Sequence, residues 1–261
     1  MMFLEFSYYS KALNKRVGVN VLLPEVSKME NAVGLGDIKG YKTLYLFHGL
    51  SGNRTDWMRR TSIERYVEKY NIAVVMPEVD RSWYTDTAYG ANYFTFVVKE
   101  LPDVCRGYFN GMSDKREDNF VAGLSMGGYG ALKVALTCPD KFGGCVSLSG
   151  SLDITRKNRV VNLAEWKAIF GYDIESALEL EGSEHDLYAL VRKNHEQGIK
   201  FPQMYIWCGT EDNPYLLKSN QNFHALLNEL DIEHFYKESE GDHSWKWWDF
   251  YIQDALRFLF E

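Results

Sequence analysis

Short apolar runs alternate along this chain with longer stretches in which apolar residues recur every three or four positions. Near the start, Val17, Val19, Val21 and Leu23 recur at period two, which predicts a half-buried strand over Arg16–Leu23. A companion strand is expected at Phe3–Tyr9. Six further strands are expected at Thr43–Phe47, Ile72–Met76, Asn119–Ala122, Cys145–Leu148, Met204–Cys208 and Ile232–Lys237. Several of these are continuously apolar, as strands covered on both faces must be. Helical patterns lie between them at Thr55–Tyr70, Met126–Thr137, Tyr215–Leu230 and Trp245–Phe260. Pro102 is expected to divide the aromatic segment Asn92–Phe109, because proline interrupts the helical hydrogen-bond ladder. Glu25 to Lys42, holding Gly34, Gly36 and Gly40, reads as a surface loop. The rhythm predicts an α/β fold: a mostly parallel eight-stranded sheet flanked by helices, with the first two strands outside the βαβ alternation.

One connection departs from this rhythm. About fifty residues, 150–202, separate the sixth strand from the seventh, where such links usually take two to six. The segment has helical patterns of its own at Leu163–Phe170 and Asp186–His195, and Ser183-Glu184-His185-Asp186 resembles a capping box opening the latter. A single domain over residues 1–261 is expected, with a small cap inserted at 150–202 over the carboxyl edge of the sheet; a decorative surface insertion is the alternative.

Composition narrows the function classes. The chain has 261 residues, 46% hydrophobic and 25% charged, the balance of a globular protein able to bury a large core. Net charge is −7 and no basic stripe is present, so nucleic acid is not an expected partner. No apolar run approaches the roughly 18 residues of a membrane span, and the first residues lack a signal-peptide pattern. Cys105, Cys138, Cys145 and Cys208 are widely spaced, and three lie in apolar surroundings, which suits reduced thiols in a cytoplasmic protein. Seventeen Tyr, 15 Phe and 7 Trp suggest either a thick core or a ring-lined cleft, and a homo-oligomer is compatible with them.

The candidate chemistry centres on Gly123-Leu124-Ser125-Met126-Gly127. Alone the pattern is weak. Here it falls between an expected strand and an expected helix, the sharp turn that exposes a nucleophilic serine and leaves no room for side chains at its glycines. A serine hydroxyl needs a neighbouring base. His243, in Gly241-Asp242-His243-Ser244 after the eighth strand, occupies the expected place in the order nucleophile, acid, histidine. The other histidines, His48, His185, His195, His224 and His234, read as structural. The acid is expected after the seventh strand, in Gly209-Thr210-Glu211-Asp212: Asp212 is the choice and Glu211 the fallback, helix capping being the other reading for Asp212. Backbone N–H groups of Met126 and of Leu50, in His48-Gly49-Leu50-Ser51-Gly52-Asn53, are expected to face a developing oxyanion, with Ser51 the rival to Leu50. His48 then supports this loop. Trp83, Tyr84, Trp166, Phe170 and Trp245 are candidate pocket walls, Trp166 foremost among them for substrate binding; ordinary packing is the alternative for each. This chemistry requires no metal or organic cofactor.

Taken together, these segments resemble the esterase D-like branch of the α/β-hydrolases. The likeness also includes Trp57, Pro77, Lys99-Glu100-Leu101-Pro102 and Asp242-His243-Ser244-Trp245, and runs from about Tyr8 to the C-terminus. Within that branch the chain looks most like bacterial tributyrin and feruloyl esterases. The resemblance implies a Ser125, Asp212, His243 triad hydrolysing short-chain acyl or hydroxycinnamoyl esters through an acyl-serine intermediate, the substrate being a small-molecule or oligosaccharide ester. The alternatives are an S-formylglutathione hydrolase-like thioesterase, an acetyl-xylan-type deacetylase, or an acyltransferase using the same triad. A cysteine usual in the thioesterases just past the oxyanion loop is missing from Ser51-Gly52-Asn53-Arg54.

Overall fold

The structure, a computed structural model, describes residues 1–25, 40–155, 162–171, 173 and 175–261. The expected loop over Glu25 to Lys42 lies almost wholly outside the described residues, as does part of 150–202. Eight strands form one sheet: β1 (Met2–Ser10), β2 (Lys15–Leu23), β3 (Thr43–Phe47), β4 (Ala73–Pro77), β5 (Asn119–Leu124), β6 (Gly144–Leu148), β7 (Gln203–Gly209) and β8 (Phe235–Ser239). Their order is β1-β2-β4-β3-β5-β6-β7-β8. β1 and β2 pair antiparallel, β2 joins β4 antiparallel, and all remaining pairs are parallel. This is the α/β-hydrolase arrangement.

Register brings the site together. Phe47 pairs with Gly123, Leu124 with Leu148, Leu148 with Trp207, and Gly209 with Ser239. The residues that follow these strand ends therefore emerge side by side along one carboxyl edge, where ligands bind in parallel sheets.

Alternation within the strands assigns the two helical layers. Leu44, Leu46, Val74 and Met76 face one cluster, shared with α1 (Asp56–Arg60), α2 (Ile63–Glu68) and α9 (Trp245–Phe260). Tyr45, Phe47, Ala73 and Val75 face the other. That second cluster includes buried residues of α4 (Leu101–Tyr108), α5 (Met126–Thr137), α6 (Leu163–Phe170), α7 (Leu187–Glu196) and α8 (Pro214–Glu229). All four cysteines are free thiols, three of them buried. Among the described residues no helix is long and apolar enough to cross a membrane.

Four expectations about element boundaries are corrected. The helix over Thr55–Tyr70 is two helices, α1 and α2, because Thr61 Oγ1 donates to the Trp57 carbonyl at 2.5 Å and accepts the Ile63 N–H at 3.1 Å. Pro102 does not divide its segment. α3 (Tyr93–Thr95) continues through a π-helical turn, Phe96–Glu100, directly into α4. The Val98 carbonyl that a residue with an N–H at 102 would engage instead accepts Lys141 Nζ at 3.1 Å. The eighth strand starts at Phe235 rather than Ile232, since the Ile232 N–H folds back to the Leu227 carbonyl at the end of α8. Ser183 does not cap α7. Asp186 does, accepting from the Tyr188 and Ala189 amides, while the Ser183 hydroxyl is used by the preceding turn on the Leu180 carbonyl.

Of the inserted segment, α7 lies against α5 and α8. A buried lysine helps to hold it there. Lys133 Nζ on α5 donates to Thr85 Oγ1 at 2.7 Å and lies 3.1 Å from His185 Nδ1, and the Tyr129 hydroxyl donates to the His185 carbonyl at 2.8 Å. Burial pushes the Lys133 ammonium down to about 7 against the opposing pull of Glu184 and Asp86, and burial with the nearby lysine pushes His185 down to about 3. The unfolded chain thus holds the lysine proton up to its ordinary value of 10.5, while the folded chain releases it from about 7. Stability contributed at this site consequently rises with pH across that window. The difference in Tm between the natural protein and Lys133→Met, followed by circular dichroism, should shift in favour of the lysine between these limits. A pH-independent difference would show that the buried amine stays charged.

Candidate active site

Ser125 sits at the junction of β5 and α5 with φ +53° and ψ −117°, a backbone conformation that costs a non-glycine residue on the order of 1–3 kcal/mol. Two contacts with the strand edge hold it. Its N–H donates to the Leu148 carbonyl at 2.9 Å, and its carbonyl accepts from the Ser151 N–H at 3.2 Å. The flanking glycines are required by close approach: a Cβ on Gly123 would lie 2.3 Å from the Gly127 carbonyl oxygen, and one on Gly127 would lie 2.7 Å from the Phe47 and His48 carbonyl oxygens. Although Ser125 occupies the N-cap of α5, its hydroxyl does not cap the helix. It points instead at His243, with Oγ to Nε2 at 3.0 Å.

The other face of the imidazole edge meets Asp212, whose carboxylate oxygens lie 3.0 and 3.1 Å from His243 Nδ1. Asp212 is buried and also accepts the Asn213 N–H at 2.6 Å, while Glu211 is exposed, its N–H bound to the Gly241 carbonyl. Geometry therefore joins Ser125, His243 and Asp212 in one hydrogen-bonded chain, and leaves Glu211 out of it. Such a chain can take a proton from the serine oxygen and hold the resulting imidazolium against a carboxylate.

The loop after β3 is built to present an amide. Both His48 Nδ1, at 2.8 Å, and the Gly52 N–H, at 3.0 Å, donate to the Gly49 carbonyl. His48 Nε2 accepts the Val79 N–H at 3.1 Å, which places the ring proton on Nδ1. With the Gly49 oxygen held on one side of a planar trans peptide, the Leu50 N–H points to the other. The turn is close to the serine: a Cβ on Gly49 would lie 3.6 Å from Ser125 Cβ. Met126, as the first residue of α5, has an N–H without an acceptor inside the helix.

Tyr84 was not legible as a part of this loop. Expected as a pocket wall, it is fully buried, stacks on Phe47 at 4.3 Å, and donates its hydroxyl to the His48 carbonyl at 2.9 Å. Trp83 and Tyr84 both have positive φ, and Gly130 lets the Tyr84 ring press against α5, where a Cβ would come within 2.2 Å of it. No alternation or spacing signals such a turn. Trp166 is buried in α6, edge-on to Trp83 at 5.6 Å and beside Phe170 at 4.6 Å, its indole N–H without a partner among the described residues. Trp245 is half-buried, edge-on to Trp57 and Trp248. A cleft of about 430 Å³ borders Leu50, Ser51 and Gly52, with Glu78, Asp80, Arg81, Tyr89 and the α6 residues Glu165, Ala168 and Ile169 as its walls. Among the described residues no three His, Cys, Asp or Glu side chains are grouped to hold a metal ion.

Known proteins share this arrangement of chain. The family described as "Putative esterase" matches residues 10–259. An acetyl esterase of Caldicellulosiruptor saccharolyticus is 33% identical over 268 residues, covering 99% of this chain and 98% of that one. Among solved structures, the fluorophosphonate-binding serine hydrolase FphF of Staphylococcus aureus is 35% identical with a TM-score of 0.88, over 100% of this chain and 98% of that one. An S-formylglutathione hydrolase, FrmB, of the same organism is 35% identical with a TM-score of 0.87, over 100% and 99%.

The geometry predicts a reactive serine. An organophosphate probe should add one adduct to Ser125, located by peptide mass, and none to Ser125→Ala. Tyr84→Phe frees the His48 carbonyl and should slow that labelling about fivefold, the equivalent of one hydrogen bond. Labelling at the natural rate would remove Tyr84 from the support of the loop.

Proposed function

We propose that this chain, which belongs to the esterase family just described and is a carboxylic ester hydrolase, cleaves short-chain acyl esters through an acyl-serine intermediate on Ser125. The observation that carries this reading is the continuous contact from Ser125 Oγ through His243 to the buried Asp212 carboxylate. His243 Nε2 accepts the serine proton as Oγ bonds to the ester carbonyl carbon, and the carbonyl oxygen becomes an oxyanion facing the Leu50 and Met126 amides. The carbon–oxygen bond to the alcohol then breaks, and the alcohol leaves with the proton held by His243. Water repeats the sequence: its proton goes to His243, its oxygen to the acyl carbon, and Ser125 recovers its proton as the carboxylic acid departs. Asp212 holds the Nδ1 proton and balances the imidazolium in both halves.

Likeness to an acetyl esterase supports the short acyl group. The cleft beside Leu50 has the charged side chains of Glu78, Asp80, Arg81 and Glu165 among its walls, together with Ala168 and Ile169, and in this reading it receives the alcohol portion of the ester. In this reading α6 acts as the cap, with Trp166 behind its inner wall, while α7 belongs to the main domain because it packs directly on α5 and α8. A formyl thioester is the second reading, favoured by the likeness to S-formylglutathione hydrolase. A feruloyl ester would need a ring-sized acyl slot.

Ser125→Ala should lower kcat/KM for p-nitrophenyl acetate on the order of 10⁴-fold or more, and Asp212→Asn should cost far more than Glu211→Gln. Full activity in Ser125→Ala would end the reading, and the reverse order at 211 and 212 would move the acid. Comparison of p-nitrophenyl acetate, p-nitrophenyl butyrate, methyl ferulate, acetylated xylo-oligosaccharide and S-formylglutathione by kcat/KM assigns the substrate. Acetyl esters should lead, and preference for S-formylglutathione would establish the second reading.

A further inference from the structure

The turn after β6 holds one partner of the proton transfer directly and the other through an intervening ring. Its Leu148 carbonyl and Ser151 amide hold the backbone of Ser125 from either side, at 2.9 and 3.2 Å. Between them Ser149, fully buried with φ +49°, donates its N–H to the Trp207 carbonyl of β7 at 2.8 Å. Its hydroxyl accepts the indole N–H of Trp248 at 3.2 Å. Trp248, on the first turns of α9 and 5% exposed, lays its ring against His243, with centroids 4.9 Å apart and planes at 89°.

Physical constraint explains why this contact matters. The two hydrogen bonds of the imidazole, donated by Nδ1 to Asp212 and accepted by Nε2 from Ser125, leave the ring free to tilt about the line joining them. A perpendicular ring packed against the imidazole removes that tilt. The packed ring must itself be fixed, and a buried indole N–H needs an acceptor. Ser149 supplies it from the same four-residue turn that fixes the nucleophile's backbone. Nucleophile and base thus take their positions from one reference.

We infer that Trp248 and Ser149 are positioning residues for the reaction: through the Ser149–Trp248 hydrogen bond, the Leu148–Ser151 turn sets the approach of His243 to Ser125. This rests on the proposed roles of Ser125 and His243. Neither residue is required to touch substrate, so their effect belongs in the rate of the chemical steps and not in substrate binding.

A double-mutant cycle tests it. Ser149→Ala, Trp248→Phe and the double variant are compared on p-nitrophenyl acetate, with kcat expressed per serine titrated by an organophosphate so that loss of folded protein cancels. Each single variant should lower kcat about fivefold, the equivalent of one hydrogen bond, with little change in KM. The double variant should lose no more than the worse single one, because both remove the same bond. Losses that multiply, a change confined to KM, or an unchanged kcat would each overturn the inference. Ser149→Ala, which removes one oxygen, decides by its kcat and KM alone should Trp248→Phe not fold. If the natural protein does not take up the organophosphate at Ser125, the proposed function fails first, and the two failures are thereby distinguished.

Discussion

The constraint on which the rest of this molecule depends is the crossing of two backbones at Gly123 and Gly127. There the chain leaves β5, reverses through Ser125, and enters α5 with its first turn pressed on the Phe47 and His48 carbonyls. The serine's unfavourable backbone costs on the order of 1–3 kcal/mol, and it persists because the surroundings overdetermine it. Strand pairing holds Leu124, α5 is buried along nearly its whole length, and both polar atoms of the Ser125 backbone are bonded to the turn after β6. A hydroxyl carried on such a turn cannot relax into the helix cap and stays directed at His243.

Around that crossing, the polar groups are arranged before any substrate arrives. The Gly49–Leu50 peptide is clamped through its oxygen by His48 and Gly52, and the peptide before it by the Tyr84 hydroxyl. Amides fixed in this way need no reorganisation when charge develops on a bound carbonyl, which is the largest electrostatic advantage a site of this kind offers. His48 links the clamp to the loop after β4, with Nδ1 on the Gly49 carbonyl and Nε2 beside the Val79 N–H. Tyr84, expected as a pocket wall, lies under the loop instead, and two further aromatic residues complete the scaffold, Trp57 with its indole N–H on the Phe47 carbonyl and Trp248 beside His243.

The described helices of the segment 150–202 pack in two different ways. α7 joins the helical layer through apolar contacts and through the buried Lys133 to His185 contact on α5. α6 leans on the loop that follows β4: the Ala88 and Tyr89 amides donate to the Ile169 and Ala168 carbonyls, and Arg81 pairs with Glu165. The wall beside Leu50 is therefore a composite of two loops and a short helix, and substitutions there can alter the cleft without disturbing the sheet.

Local pattern was sufficient for much of this. Period-two runs, continuous apolar strands and the Gly-x-Ser-x-Gly turn, all properties of neighbouring residues, determined the eight strands, the mostly parallel sheet and the place of Ser125. Chain order then pointed to His243 and to the loop that carries Glu211 and Asp212. Boundaries failed where one side chain outbid the pattern, as Thr61 did between α1 and α2 and Lys141 did at the carbonyl below Pro102. Only the tertiary structure could separate Asp212 from its neighbour Glu211, because burial and direction, not identity, distinguish two adjacent carboxylates. Only it brings Tyr84, Ser149 and Trp248 into contact with the loop, the turn and the imidazole around Ser125. Their partners lie 36, 58 and 99 residues away along the chain, and contacts at such separations are set by sheet register and packing, which leave no periodic trace in the sequence.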